Sequence, residues 1–302
     1  MALSKSVCFV GLGAMGAGMA INIAKSGTPL TVFDIRDEAM QAIVPHGAKA
    51  SKSTREAAQG ADYLVLMVIN DAQARQVLFQ DGALESLKEN GTVLLMSTIS
   101  PATSAALGKE VEAKGRKYVD CPVSGGAVGA NAGSLTLMAS AKKSVYDDVE
   151  PLLRLMGTNL FHVGENCSAG QSMKAVNQVL CAVHLVAAAE ALSFAKASGI
   201  DPKVALELMS GSAAQSWFLE NRGKRMLQEE PEIKSAVNII AKDAGIVVNA
   251  AREVGAALPL TAQALQIINS SQGRGEGLLD DSQLIRVYDM LNGLRGATAY
   301  RK

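Results

Sequence analysis

Cysteine is scarce and scattered in this 302-residue chain: Cys8, Cys121, Cys167 and Cys181 form no CxxC pair and have no histidine at metal-ligand spacing. That argues against a zinc site or a disulfide framework and fits a reducing compartment. An excess of charge of one sign is lacking too. Lys plus Arg number 29, Asp plus Glu number 29, and the formal net charge is zero. A chain without a basic field has little to offer nucleic acid or an anionic membrane surface. The N-terminal stretch KSVCFVGLGAMG has no cleavage region, and its short apolar run ends in glycines, so no signal peptide is recognisable. The most apolar stretch, 168–198, is interrupted by His184, Glu190 and Lys196, against a membrane span. These absences leave a soluble, cytoplasmic protein with no metal as the expectation. At 48% hydrophobic and 19% charged residues the profile is globular, and the length accommodates two domains.

The stretch from Ser168 to Ser198 holds no proline, only one early glycine (Gly170), and stops before Gly199. It reads as a long interdomain helix with a glycine stop. About thirty residues at 1.5 Å each reach roughly 45 Å, more than one compact domain needs. Lys174, Asn177 and Gln178 fall at i, i+3, i+4 near its start, on one side of an otherwise apolar helix. Polar groups in such a place need partners or a task. The plain alternative is a lysine stem lying on the surface with its amine in solvent.

Before this helix the chain alternates strand and helix. The β-rich run Ser6–Val10 (VCFV) leads directly into Gly11-Leu12-Gly13-Ala14-Met15-Gly16 and then into a helical pattern, AGMAINIAKSG. GxGxxG in that setting is a dinucleotide fingerprint. Gly11 permits the turn, Gly13 lets backbone approach a pyrophosphate, Gly16 allows close helix–strand packing, and the helix N-terminus favours the anion. The next strand, PLTVFD, ends on Asp34, placed to accept from a ribose 2′-hydroxyl, which favours NAD. NADP stays open because Arg36 is near enough to accommodate a phosphate; Asp34 as a turn or cap residue is the structural alternative. Strands are expected at Tyr63–Val68, Thr92–Met96, Lys117–Asp120, Leu135–Ala139 and FHV, with helices around Ala72–Leu78, Ser100–Lys114 and Ser144–Met156. Ser97 and Thr98 end one strand, where a hydroxyl reaches a cofactor or caps the next helix. Ser124-Gly125-Gly126 is either a backbone anion nest for a carboxylate or an ordinary wide turn.

After Gly164 no alternation remains; five further segments with helical spacing predict an all-helical domain. The expected fold class is α/β: a Rossmann-type dinucleotide-binding domain, 1–164, followed by an all-α domain, 165–302, joined through the long interdomain helix. Trp217 beside Phe218 reads as a core anchor ahead of a substrate wall. Lys242-Asp243 interrupts an apolar helical run, as a solvated pair or as a charge suited to a nucleotide or an anionic substrate.

Four motifs in order, GLGAMGAGMA, DCPVSGGAVGANAGSLTLMAS, GQSMKAVNQ and KDAGIVV, resemble the 3-hydroxyisobutyrate or β-hydroxyacid dehydrogenase family over nearly the whole chain. VLFQDG, STISPA, AVHLVAAAEAL and SWFLENR add a closer likeness to its L-threonate dehydrogenase branch. The resemblance implies Lys174 as catalytic lysine and Asn177 as the residue orienting it or the substrate. It implies Ser124, Gly125 and Gly126 at the substrate carboxylate, with Gln178 a candidate for further substrate hydroxyls. Gly11, Gly13, Gly16, Asp34, Thr98 and Lys242 would contact the cofactor, with Leu12, Ala14 and Met15 completing the loop; Asp243 would position Lys174 or Lys242. Dimers or tetramers through the helical domains are implied as well. The implied activity is reversible hydride transfer between NAD (or NADP) and a small hydroxy acid, L-threonate to 2-oxo-tetronate first among the candidates. 3-Hydroxyisobutyrate or glycerate oxidation, or NADPH-dependent reduction of glyoxylate or succinic semialdehyde, are the alternatives. A non-catalytic NAD sensor would have no use for Lys174 and Asn177.

Overall fold

Val7–Val10 (β1) has every side chain buried, which requires a layer against each face of the strand because side chains alternate between faces. Val7 and Phe9 enter one apolar core, while Cys8 and Val10 enter a second. The computed structural model describes residues 2–294. These divide into two compact units between Lys174 and Ala175.

The first unit is built on one sheet. Its strands are β1, β2 (Leu30–Phe33), β3 (Lys49–Ala50), β4 (Tyr63–Leu66), β5 (Thr92–Leu95), β6 (Lys117–Asp120), β7 (Val123–Ser124), β8 (Leu135–Ser140) and β9 (Gly157–Gly164). They lie in the order β3-β2-β1-β4-β5-β6-β8-β7, with β9 paired to β8. From β3 through β6 every pairing is parallel. β8 runs antiparallel to β6 and β7 and parallel to β9. The strand order reverses direction between β1 and β4, so the chain leaves these neighbours toward opposite sides; that crevice is where such sheets receive ligands.

Most expected strands are present. β3 and β7 are additional, each of two residues, too short to carry a period-2 signal. β9 is longer than FHV and half-exposed along its length. The helix expected around Ala72–Leu78 is α-helical only over Asp71–Arg75 and continues as a π-helical turn over Gln76–Gln80. Ser100 caps the helix Pro101–Ala113 by accepting from Thr103 N, and the next expected helix spans Lys143–Leu153.

In the second unit the long helix, Ala169–Ala197 in full, continues beyond Lys174. It ends at Gly199, whose φ is +75°. Ile200 N–H donates to Ala195 O and Gly199 N–H to Lys196 O, so the helix closes on its final carbonyls as a glycine stop should. Helices Pro202–Ser210, Trp217–Met226, Val237–Glu253, Pro259–Gly273 and Ile285–Leu291 follow. Among the described residues of this unit the only strand-like pairing is an isolated bridge, Ala236 to Asp280. Leu185, Leu192, Ile240, Ile268 and Leu284 form its core. The expected second domain runs to 302; positions 295–302 lie outside the described residues.

One expectation fails here. Trp217 is 47% exposed rather than a core anchor. It meets Phe218 edge to face, and the Arg222 guanidinium lies about 5 Å from both rings. Arg222 is held in turn by Asp281, in a buried pair that joins helix Trp217–Met226 to the 280–284 turn. The tryptophan shields an ion pair and does not fill the core.

Candidate active site

The turn after β1 lies at the crevice, and its glycines separate by what surrounds them. A Cβ on Gly11, where φ is +95°, would overlap the Met67 carbonyl, and one on Gly16 would overlap the Gly11 carbonyl. Those two glycines are demanded by the fold. At Gly13 a Cβ would meet no protein atom within 4 Å, so nothing in the chain itself forbids a side chain there. The helix that follows, Gly16–Lys25, has no side-chain cap and no acidic residue in its first turn. Its opening N–H groups and the open space over Gly13 fit a bound pyrophosphate.

Asp34 sits at the end of β2, as expected, and is largely buried. Its Oδ2 accepts from Leu12 N–H at 2.7 Å, and its Oδ1 accepts from the Arg36 backbone and Nε, each at 3.0 Å. Burial raises the carboxyl pKa, but Arg36 and the two backbone donors outweigh it and hold the group below the ordinary carboxylate range. Arg36 also donates to Leu12 O. Asp34 and Arg36 therefore brace the glycine loop, at the strand end where a carboxylate suits a ribose diol.

Ser97 and Thr98 divide the two roles open to them. Ser97 is buried, and its Oγ accepts from Val68 N–H at 2.8 Å, tying the ends of β4 and β5 together. Thr98 follows it in the loop at the sheet edge. Ser124 ends β7 opposite Thr136 of β8. Gly125 and Gly126, with φ of +131° and +63°, then turn the chain into helix Gly126–Ala132, which has no side-chain cap. This helix packs directly on Gly16–Lys25. A Cβ on Gly18 would sit 2.8 Å from the Ala130 backbone, and Asn22 Nδ2 donates to Ala130 O at 2.8 Å. The two glycine turns are thus held in register by a third glycine.

Lys174 lies on the second turn of the long helix and is only 6% exposed. The surface-lysine alternative is excluded. The helix start is seated on the sheet edge: Asp120 Oδ2 accepts from Gln171 N–H at 2.8 Å, and Ser140 Oγ accepts from Gly170 N–H at 3.0 Å. Burial pushes the Asp120 carboxyl up to about 7, against the opposing bonds from Gln171 and from the Ser104 and Ser140 hydroxyls. Neither Asp120 nor Gln171 was singled out by the sequence patterns. A carboxylate closing an apolar strand, and a glutamine one turn before the lysine, were the available signals.

In the second unit, Gln178 and Asp243 are buried and bonded to each other, Nε2 to Oδ2, at 2.7 Å. Asn177 Nδ2 donates to Gln178 Oε1 at 2.9 Å and lies 3.2 Å from Cys181 Sγ. Asp243 Oδ1 pairs with Lys242 Nζ at 2.8 Å. Of the two readings of Lys242-Asp243, the solvated pair does not hold: Asp243 is 7% exposed and joins the polar group of the long helix. A surface cleft beside Lys203 and Lys224 is lined by none of these residues.

Residues 6–164 match the family described as the NAD binding domain of 6-phosphogluconate dehydrogenase. Residues 168–288 match that described as the NAD-binding of NADP-dependent 3-hydroxyisobutyrate dehydrogenase. The chain is 33% identical over 287 residues to L-threonate dehydrogenase of Cupriavidus necator, covering 95% of this chain and 97% of that one. It is also 33% identical over 296 residues to 2-(hydroxymethyl)glutarate dehydrogenase of Eubacterium barkeri, covering 97% and 98%. The crystal structure of a 3-hydroxyisobutyrate dehydrogenase from Salmonella typhimurium superposes with a TM-score of 0.90 at 35% identity, over 94% of this chain and 100% of that one.

Proposed function

This chain belongs to the 3-hydroxyisobutyrate (β-hydroxyacid) dehydrogenase family of NAD(P)-dependent oxidoreductases acting on the CH–OH group of hydroxy acids, and on that premise we propose that it oxidises L-threonate with NAD. The product would be 2-oxo-tetronate, formed by loss of hydrogen from the hydroxyl-bearing carbon next to the carboxylate. Bound NAD supplies the hydride acceptor. The chain's residues do the rest. Gly11–Gly16 (with Leu12, Ala14 and Met15) and Asp34 hold the dinucleotide, while Thr98 and Lys242 complete its contacts. The Ser124–Gly126 turn takes the substrate carboxylate. Asn177 and Gln178 orient the hydroxyls, and Lys174 accepts the hydroxyl proton on oxidation and returns it on reduction.

What carries this reading is the burial of Lys174 on a helix start bonded to the C-terminal edge of the sheet, one turn beyond a residue bonded to the Ser97–Ile99 loop. Support for L-threonate is the likeness to the Cupriavidus necator enzyme. A second reading, oxidation at the carbon one further from the carboxylate, is favoured by the equal identity to the 2-(hydroxymethyl)glutarate enzyme. Absorbance at 340 nm separates them, with L-threonate, 3-hydroxyisobutyrate, 2-(hydroxymethyl)glutarate and glycerate each tested against NAD and NADP. Turnover of L-threonate below that of the β-hydroxy acids would remove the first reading.

The division of labour follows the same proposal, with 1–164 binding the dinucleotide and 165–302 serving substrate binding and oligomerisation. Val176, Leu180 and Phe194 leave an exposed apolar stripe on the long helix, which suits burial in a homodimer or homotetramer. The long helix has the length and hydropathy of a membrane span, but half of its most apolar window is already buried, which supports its being a core helix of a soluble enzyme.

A further inference from the structure

Gln171 makes three side-chain hydrogen bonds, all of them buried. Its Nε2 donates to Ser97 O at 2.9 Å and to Asp120 Oδ1 at 2.8 Å, and its Oε1 accepts from Ile99 N–H at 3.1 Å. Ser97 O and Ile99 N–H belong to the two peptide groups on either side of Thr98. One amide therefore grips the backbone around Thr98 from both sides. The same residue lies one turn before Lys174, at i and i+3, where side chains share a helix face.

We propose that Gln171, seated on Asp120, is the positioning residue that fixes the Lys174 amine relative to the Thr98 loop. The proposal rests on the reading of Lys174 as the proton-transfer group. Capping the helix does not require this side chain, because Asp120 and Ser140 already accept from the Gln171 and Gly170 N–H groups. The additional bonds of the amide run to the loop. The helix start also lies close against the sheet edge: a Cβ at Gly170 would lie 2.6 Å from both the Asp120 and the Met138 carbonyl oxygens. The bonds of the amide to the loop oppose rotation about the helix axis. With side chains reaching roughly 5–6 Å from the axis, a roll of about 10° moves an amine by about 1 Å. A displacement of that size from the productive geometry costs on the order of 100-fold in rate. Asp120 gives the amide its rigidity by accepting from both the backbone and the side chain of Gln171, which leaves the amide one orientation.

The test is a double-mutant cycle with NAD and L-threonate or 3-hydroxyisobutyrate, whichever turns over faster. Gln171→Met keeps length and volume but removes the three bonds. The expected result is a fall in kcat of roughly thirty-fold or more, with KM for the hydroxy acid within about three-fold. Placed on Lys174→Ala, the same change should cost less than about three-fold, because a residue acting through the lysine has nothing left to position. Equal losses in both backgrounds would mark Gln171 as merely structural and overturn the proposal. So would kcat within about three-fold of wild type in the single variant. If Lys174→Ala itself turns over like wild type, the catalytic reading fails instead. A crystal structure of Gln171→Met stands apart from activity: Lys174 Nζ should shift by about 1 Å relative to Thr98, and an unmoved amine refutes positioning. Should Gln171→Met not fold, Gln171→Asn keeps an amide one methylene too short to reach both peptide groups and must show the same pattern. If neither folds, the residue is structural and the proposal is wrong.

Discussion

Gly13→Ala separates a glycine kept for a ligand from glycines kept for the fold. The new methyl would meet no protein atom within 4 Å, and Gly13 is not among the glycines with positive φ. The unliganded variant should therefore be as stable as wild type, or more stable by about 0.4–1 kcal/mol through loss of unfolded-state freedom. Gly16→Ala instead drives a methyl into the Gly11 carbonyl. Overpacking of that kind costs about 1–3 kcal/mol, or between roughly 2 and 12 °C in Tm for a unit of this size. With NAD present the ranking changes. If the pyrophosphate crosses the open space at Gly13, a methyl there imposes a comparable steric cost on binding, weakening Kd by roughly 10- to 100-fold. Thermal melting with and without NAD, together with calorimetric titration of NAD, measures both effects. A Gly13→Ala protein that binds NAD as wild type does would refute the placement of the cofactor over this turn. Loss of several degrees without NAD would refute the reading of the space as open.

Three further outcomes follow from the geometry. Asp34→Asn removes a charge held beside the proposed ribose position and releases Arg36, so the ratio of kcat/KM with NADP to that with NAD should rise by roughly tenfold or more; an unchanged ratio assigns cofactor choice elsewhere. Asp120 has a folded-state pKa of about 7, above the unfolded carboxyl near 3.9, so the native state holds the extra proton between those values. Wild-type stability relative to Asp120→Asn should accordingly fall by about 4 kcal/mol as pH rises from 4 to 7 and then level off, and a flat difference in denaturant melts contradicts this. Gly170→Ala meets two backbone carbonyls at 2.6 Å and should destabilise by about 1–3 kcal/mol while displacing the start of the long helix, whereas a neutral melt would show that the seat yields.

Much of this was written locally in the chain. The buried runs VCFV, YLVL and TVLL are strands because β-branched and apolar residues fill a sheet covered on both faces. The glycine turn is legible because its spacing is a local steric solution, and the glycine stop of the long helix because φ of +75° suits no other residue as well. What escaped was long-range. Gln171 reaches Asp120 across 51 residues and Ser97 across 74, and no periodicity encodes such pairs. Gly18 reads as an ordinary weak spot in a helix until helix Gly126–Ala132 is seen to press against it. A lone tryptophan likewise suggests a core, but here Trp217 is half-exposed with its ring against the buried Arg222 guanidinium. Lys174, Asn177 and Gln178 stand out by their spacing, yet that spacing could not show that Gln178 would be bonded to Asp243 of another helix as well as to Asn177 of its own.

The central claim is that the buried amine of Lys174 manages the proton while a hydroxy acid is oxidised. Its most direct measurement is single-turnover NADH formation at 340 nm by wild-type and Lys174→Ala protein under saturating NAD, with L-threonate and the β-hydroxy acids. Wild type should form NADH, and the variant should lose roughly a hundredfold or more, with the fold and NAD binding intact. Turnover of Lys174→Ala within a few-fold of wild type would contradict it.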